Sequence, residues 1–347
     1  FPTLDGKGRL YLGSNDRKFY AINTGDGSKA WEFRAGGEIH MDSALSTDGI
    51  VYFASEDSHV YALNSADGSE IWKTRTGGRA RCCVALGSDG TVYVGSEPNN
   101  VYAMNGKTGE IKWNFKTTGE INPGLALGAD NTVYVVARGT PGKTYALDGA
   151  TGESKWEFPN GGASVPALGG DGTVYFGSYD GNFYALDAAT GAKKWEFATG
   201  ARIEMSSTLI GPTGIVYIGS TDGRMYAFQG SSGPATDSPW PMRGQNARRT
   251  ARAGDRQNPA AAGPATFTAH VISDEVKRGH TVHAIDMDGD GDKDVLCSSY
   301  DDGTVGWYEN DGRLNFTRHV IIQSSWAYGT HAADMDGDGD IDVVSVL

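Results

Sequence analysis

The chain has 347 residues, a formal net charge of −13, 50 glycines and three cysteines. Its glycine and proline content stays below the ~25–30% of low-complexity disorder, no apolar run approaches the ~18–20 residues of a membrane span, and three cysteines, two of them adjacent, make no disulfide framework. The charge is uneven: residues 265–347 hold 16 acidic and 5 basic side chains, residues 1–264 hold 27 and 25, and neither part has the basic footprint of a nucleic-acid binder.

The chain opens directly on a repeat. Tyr11, Tyr52, Tyr93, Tyr134, Tyr175 and Tyr217 are 41, 41, 41, 41 and 42 residues apart. A second tyrosine follows each (Tyr20, Tyr61, Tyr102, Tyr145, Tyr184, Tyr226). A tryptophan comes next: Trp31, Trp72, Trp113, Trp156, Trp195 and, less regularly, Trp240. The fifth unit shows the local physics. Thr173–Ser178 and Asn182–Asp187 are β-branched and aromatic runs separated by a tight-turn signal at Tyr179–Asn182. Lys194–Phe197 reads as a third strand and Pro166–Leu168 as a fourth. Four short antiparallel strands per ~41 residues match a propeller blade, usually ~40–45 residues long. One blade cannot bury both faces of its sheet, so aromatic residues at fixed places are inter-blade packing.

The words Ala185–Trp195 and Ala146–Trp156 follow the pattern A-x-D-x-x-T-G-x-x-x-W, with close variants at Ala62–Trp72 and Ala103–Trp113. They resemble the tryptophan-docking motif of the PQQ-type β-propeller repeat. The resemblance covers residues 2 to about 250, and Ser238–Thr250 is similar to a segment flanking such propellers. In that family the docking motif is structural. It occurs in quinoprotein dehydrogenases and in non-catalytic outer-membrane assembly lipoproteins alike. A dehydrogenase implies eight blades, calcium and a catalytic carboxylate, whereas six repeats are visible here. Cys82–Cys83 invites comparison with the vicinal disulfide of methanol-oxidising members. The repeat register instead aligns it with Met41 and Asp42 on the innermost strand, so two small buried residues are expected. The positions leading into the innermost strands vary between repeats: His40 and Asp42, Arg81, Asn122, Arg202 and Glu204. Together they form a candidate polar funnel, the default place for a ligand on this architecture. PQQ is not the expected occupant, and no phosphate-cradling or zinc-protease motif is present.

A linker is expected over 253–265, after a propeller domain over 1–252. An arginine cluster before it (Arg243, Arg248, Arg249, Arg252, Arg256) reads as a solvated loop face. Residues 266–347 then carry two matching segments, His283–Val295 and His331–Val343, whose first aspartates are 48 residues apart. Each contains D-x-D-x-D-G-x-x-D. The first places Asp286, Asp288, Asp290 and Asp294 at positions 1, 3, 5 and 9, with Asp292 offering its backbone carbonyl. The second repeats this with Asp334, Asp336, Asp338, Asp340 and Asp342. Alternate carboxylates converge where a chain curls around a point, and glycine permits the sharp turn. Two such charges 4 Å apart cost ~1 kcal/mol in water and ~4 near a protein surface. A divalent cation reverses the sign. Oxygen-only ligands select Ca²⁺ over zinc or copper, giving two expected Ca²⁺ sites. Position 12 is Cys297 or Ser345, so this is not a helical EF-hand. His283 and His331 are read as ordinary strand positions. The flanks read as strands, and the segments resemble FG-GAP/VCBS repeats, which implies seven-bladed propellers with calcium loops.

The expected fold is therefore all-β: a propeller of four-stranded blades followed by part of a second propeller. Two repeats cannot close a second ring, so the native polypeptide is expected to continue. The expected function is a non-catalytic, calcium-stabilised scaffold for a protein or glycan partner, in an extracellular, cell-surface or periplasmic location where calcium is abundant. The alternative is a PQQ-dependent dehydrogenase, or a degenerate relative, with cofactor in the central funnel.

Overall fold

The computed structural model describes residues 2–139, 142–230, 232–235, 237–238, 269–273, 276, 279–299, 302–325, 327, 329–333 and 341–346. Among them every regular element is a strand, and no helix is long and apolar enough to cross a membrane. Four-stranded antiparallel sheets follow one another along the chain, over residues 3–34, 44–75, 85–116, 121–158 and 167–198. In each, the strands lie in sequence order, from a short innermost strand to a tryptophan-bearing outer one. In the third to fifth sheets the second strands, Thr91–Ser96, Val133–Ala137 and Thr173–Gly177, are buried along their whole length because both faces of each sheet are covered. The outer strands alternate exposed and half-buried residues, as in Glu70–Arg75 and Lys193–Ala198. A register shift recurs at one place against the outer strand: Ala21/Ile22, Ala62/Leu63, Ala103/Met104, Ala146/Leu147 and Ala185/Leu186.

The repeated aromatic residues join one sheet to the next. Tyr52 Oη and Trp72 Nε1 both donate to the carbonyl of Gly106, at 3.1 and 2.7 Å. Tyr93 and Trp113 share Gly149 O in the same way, and Tyr134 and Trp156 share Ala188 O. Each indole also lies over a glycine of the following sheet. A Cβ at Gly68, Gly109, Gly152 or Gly191 would sit 2.6–2.8 Å from the ring of Trp31, Trp72, Trp113 or Trp156. These glycines hold φ between 72° and 77°, a conformation glycine adopts freely. The T-G of the sequence word is thus the seat of the preceding tryptophan.

The innermost strands also touch directly. Thr3 Oγ1 donates to Ser43 O at 3.0 Å, Val84 N to Asp42 O at 3.4 Å and Thr208 N to Val165 O at 3.2 Å. Ala163–Val165 and Glu204–Ser207 pair in parallel. The residues there are small and buried: Thr3, Ser43, Cys82, Cys83, Ser164, Ser206 and Ser207. Cys82 and Cys83 carry thiols and are not joined in a disulfide.

The sixth sheet crosses the domain border expected from the sequence. Its first three strands are Leu209–Ile210, Ile215–Gly219 and Met225–Gln229, and its fourth is Ala269–Ser273, paired antiparallel with Met225–Gln229. That outer position is where the repeat leads one to look for Trp240. Trp240 and the linker 253–265 lie outside the described residues. Residues 279–323 form a further four-stranded sheet, and Gly329–Ala333 pairs with Asp342–Val346. One apolar cluster unites Tyr217, Ile218 and Phe228 with Val282, Val295, Cys297 and Tyr308. The two repeat types, read from the sequence as separate propellers, share a sheet and a core in these residues.

Candidate functional sites: an acidic loop and a charged belt

The loop 286–294 joins strand Gly279–Ile285 to strand Asp294–Ser299. Gly289 and Gly291 take φ of 79° and 97°, which lets the backbone curl. The carboxylates of Asp286, Asp288 and Asp294 each place an oxygen within 4.8 Å of the others. The curl is held by its own amides. Asp286 accepts from Gly289 N at 2.8 Å and Gly291 N at 3.1 Å, Asp288 from Asp290 N at 3.2 Å, and Asp290 from Asp292 N at 2.8 Å. Asp292 leans towards the neighbouring hairpin, where a Cβ on Gly312 would meet its Oδ2 at 2.4 Å. Asp290 and Asp292 are therefore not members of the converging trio. Asp334, Asp336, Asp338 and Asp340 lie outside the described residues, and Asp342 is half-buried at the start of its strand.

Asp294 is the pivot. It is fully buried, with Oδ2 accepting from Met287 N and Oδ1 from Asn310 N, each at 2.8 Å. Asn310 in turn donates to Lys293 O and accepts from Leu314 N, so the loop is braced against the hairpin 310–315. Burial raises the Asp294 pKa. The two amides oppose that rise, and the charges of Asp288 and Asp290 add to it. The nearby ammonium, Lys293 Nζ, is 4.0 Å from Asp286. An all-oxygen set with a buried carboxylate and mutual repulsion fits a hard divalent cation of the Ca²⁺ type and suits a soft metal poorly.

The second feature is a belt of charge at the end of the sheets where each outer strand hands over to the next innermost strand. In successive repeats the amides of Glu56, Glu97, Arg138, Tyr179 and Thr221 donate to the carbonyls of residues 38, 79, 120, 161 and 202, at 2.8–3.3 Å. Except at Gly161, this fixes two side chains beside each other in each of these repeats. His40 Nε2 is 3.0 Å from Glu38 and 2.8 Å from Glu56, and Arg81 Nη2 is 2.5 Å from the same Glu56 oxygen. Further round, Arg138 pairs with Glu120 and donates to Tyr179 Oη at 3.4 Å. Tyr179 donates to Glu204 at 3.2 Å, and Arg202 Nε is 3.0 Å from Glu204. The carboxylates of Glu38 and Glu56 with His40 are close enough to hold a metal. The Arg81 guanidinium already occupies the bridging oxygen, so the cluster is an ion-pair network.

Of the sequence-predicted funnel residues, His40, Arg81, Arg202 and Glu204 are therefore in the belt. Asp42 is not: it is 2% exposed, among the innermost strands. The side chain of Asn122 lies outside the described residues. Sequence reasoning missed Glu38, Glu56, Glu97, Glu120, Arg138 and Tyr179. Their signal was periodic position, since five of the belt residues stand directly after a second strand or its closing serine, at the same place in each repeat.

Comparison with known proteins fits both repeat types. The family model described as outer membrane protein assembly factor BamB matches residues 2–84, 79–169 and 119–264, and that of the FG-GAP-like repeat matches residues 263–345. No curated protein matches the chain. Among solved structures the chain is similar to BamB from Moraxella catarrhalis, at 16% identity and a TM-score of 0.64, covering 100% of this chain and 94% of that one. It is also similar to the computationally designed Ika8 protein, at 13% identity and a TM-score of 0.66, covering 99% and 95%. At these identities the likeness is one of fold.

Proposed function

Because the chain belongs to the family of the outer membrane protein assembly factor BamB and ends in an FG-GAP-like repeat, we propose that it is a non-catalytic, exported scaffold that binds a protein partner and holds Ca²⁺ in the loop 286–294. The observation that carries the scaffold reading is how the repeated residues are used. The tyrosines, tryptophans and T-G glycines join sheet to sheet, and the arginines of the charged belt are paired with its carboxylates. What remains for recognition is a rigid rim whose carboxylates and guanidinium groups stay partly exposed. Such pairs contribute ~0–1 kcal/mol to stability, and an incoming protein can exchange partners with them at little cost. The family name places its namesake in assembly of outer-membrane proteins; an envelope location for this chain follows by kinship and suits millimolar-calcium loops.

Asp286, Asp288 and Asp294 would hold the ion. Its chemistry is to cancel carboxylate repulsion and brace the loop against residues 310–315. Isothermal titration with Ca²⁺, and melting with and without chelator, test this. Asp290→Ala should weaken binding and Asp294→Ala abolish it, with chelator lowering the melting temperature most in the wild type, less in Asp290→Ala and not in Asp294→Ala. Unchanged melting across calcium and chelator sinks the calcium reading. Reduction of a dye with alcohols or sugars after reconstitution with PQQ and Ca²⁺ would overturn the non-catalytic one.

A further inference from the structure

In the second to fifth sheets the chain leaves the third strand by an Asx turn and runs outward to the tryptophan strand. In the sixth sheet it turns inward. Gly230 N donates to Gly214 O at 2.9 Å, as Ser65, Gly106 and Ala188 do to Gly49, Gly90 and Gly172. Past that point the path diverges. Ser232 Oγ accepts from Asp171 N at 2.9 Å, Gly233 O accepts from Gly170 N at 2.8 Å, Pro234 bridges Gly169 in antiparallel fashion, and Ala235 N donates to Leu168 O at 2.9 Å. Ser238 Oγ then donates to Leu127 O, 111 residues away in sequence. Ala235 and Ser238 are buried.

Leu127 and Leu168 close the innermost strands of the fourth and fifth sheets. Gly128 N and Gly169 N donate to Thr132 O and Thr173 O. In an antiparallel ladder the carbonyl one residue earlier then points away from the partner strand. The Leu127 and Leu168 carbonyls thus face the axis, where a buried acceptor needs a donor. Ser238 and Ala235 supply one each.

We propose that residues 232–235, together with Ser238, form an internal clasp. Arising from the sixth sheet, it binds the axis-facing edges of the fifth and fourth, and it closes this arc of the ring from inside, at the end opposite the charged belt. The clasp is seated closely: a Cβ on Gly233 would come 2.8 Å from Pro212 O.

Hydrogen–deuterium exchange on the full chain tests this, because exchange reads local opening separately from global unfolding. In the wild type, Gly170, Asp171 and Ala235 should be protected. Ala235→Pro, which removes the donor to Leu168, should speed exchange at Gly170 and Asp171 by about tenfold or more and leave residues 9–75 unchanged. If that variant does not fold, Gly233→Ala should give the same local acceleration, and Ser238→Ala a smaller one. Fast exchange of these amides in the wild type would overturn the clasp. So would no change at Gly170 and Asp171 in the folded variants, or an equal acceleration in every sheet.

Discussion

The tryptophan seats can be weighed against an internal control. Gly27 and Gly109 occupy the same repeat position with φ of 68° and 74°. At Gly109 an added Cβ would meet Trp72 Cδ2 and Cε3 at 2.8 Å and Thr74 Oγ1 at 2.6 Å; at Gly27 it would meet nothing within 4 Å. Gly27→Ala therefore carries only the left-handed backbone cost, about 1–2 kcal/mol. Gly109→Ala carries that and displaces an indole that is 8% exposed and bonded to Gly106 O at 2.7 Å. Overpacking adds about 1–3 kcal/mol, and a strained or lost hydrogen bond about 0.5–1.5. The expected difference between the variants is about 1.5–4.5 kcal/mol on these terms. Urea unfolding followed by tryptophan fluorescence measures it, with Gly90→Ala (φ 76°, also open) as a second control. If Gly27→Ala and Gly109→Ala agree within about 0.5 kcal/mol, about the error of comparing two such measurements, the indole seat contributes nothing and the reasoning fails.

Three further outcomes follow from groups whose titration the fold shifts. Burial, then the charge of Asp48, pushes Tyr52 up to about 12 from 10.0, and burial raises Tyr93 and Tyr134 as well. A phenol raised in the folded state stabilises it fully below pH 10 and loses that contribution as pH climbs through about 12. Tyrosinate absorbance should thus rise in two steps, the second together with loss of structure; full titration of a still-folded chain before that point contradicts it. Asp130 has the opposite sign. Burial would raise it, but hydrogen bonds from Thr132 and Lys155 hold it at about 2 against 3.8. Its contribution is present above pH 3.8 and lost as pH falls through about 2, so Lys155→Met should move acid unfolding to higher pH, and an unmoved acid limb refutes the pairing. Cys297 is pushed up to about 12 by burial first and by Asp302, and Cys82 and Cys83 are buried. A disulfide reagent at pH 8 should find all three thiols only after denaturant is added, and prompt labelling of the native chain would show otherwise.

Much of the fold was legible because it depends on period. A 41-residue spacing of Tyr11, Tyr52 and Tyr93 announces identical sheets, and the Asp-Gly or Thr-Gly four residues before Trp31, Trp72, Trp113, Trp156 and Trp195 announces a turn. The partner of each motif was not legible, since sequence spacing gives no hint that Trp72 seats on Gly109, one unit later. The acidic loop was read from alternation alone, but its internal division was not. Asp292 leans to Gly312 because the hairpin 310–315 is packed there, and that is a tertiary fact. The belt was half seen. His40 and Arg81 stood out as polar residues where other repeats differ, while Glu56, which joins them, looked like any turn residue. The pairing of Met225–Gln229 with Ala269–Ser273, across the border expected near residue 253, was illegible for a related reason. A change of composition near residue 253 marks where one repeat chemistry ends, and hydrogen-bond partners do not follow composition.

What a sheet must offer its neighbour is an apolar face of the right shape, and a sequence word serves only to make one. Tyr217, Ile218 and Phe228 belong to the tyrosine-and-tryptophan repeat, Val282, Val295 and Tyr308 to the acidic one, and both sets enter one cluster. Trp195 shows the adjustment at the junction. With no Thr-Gly turn following Gln229, its ring packs 5.7 Å from Phe228 instead of over a glycine. Beyond the seam the same role passes to different chemistry. Buried His283 donates from Nε2 to Thr330 O at 2.5 Å, across to the next pair of strands, as Tyr52 and Trp72 donate to Gly106. The acidic loop stands at this seam. The charge of Asp294 reaches Tyr217, which is buried in the sixth sheet. A cation held by Asp286, Asp288 and Asp294 would therefore relieve a charge felt on both sides of the junction. Its effect on melting should extend into the sixth sheet, because that sheet shares the loop's core.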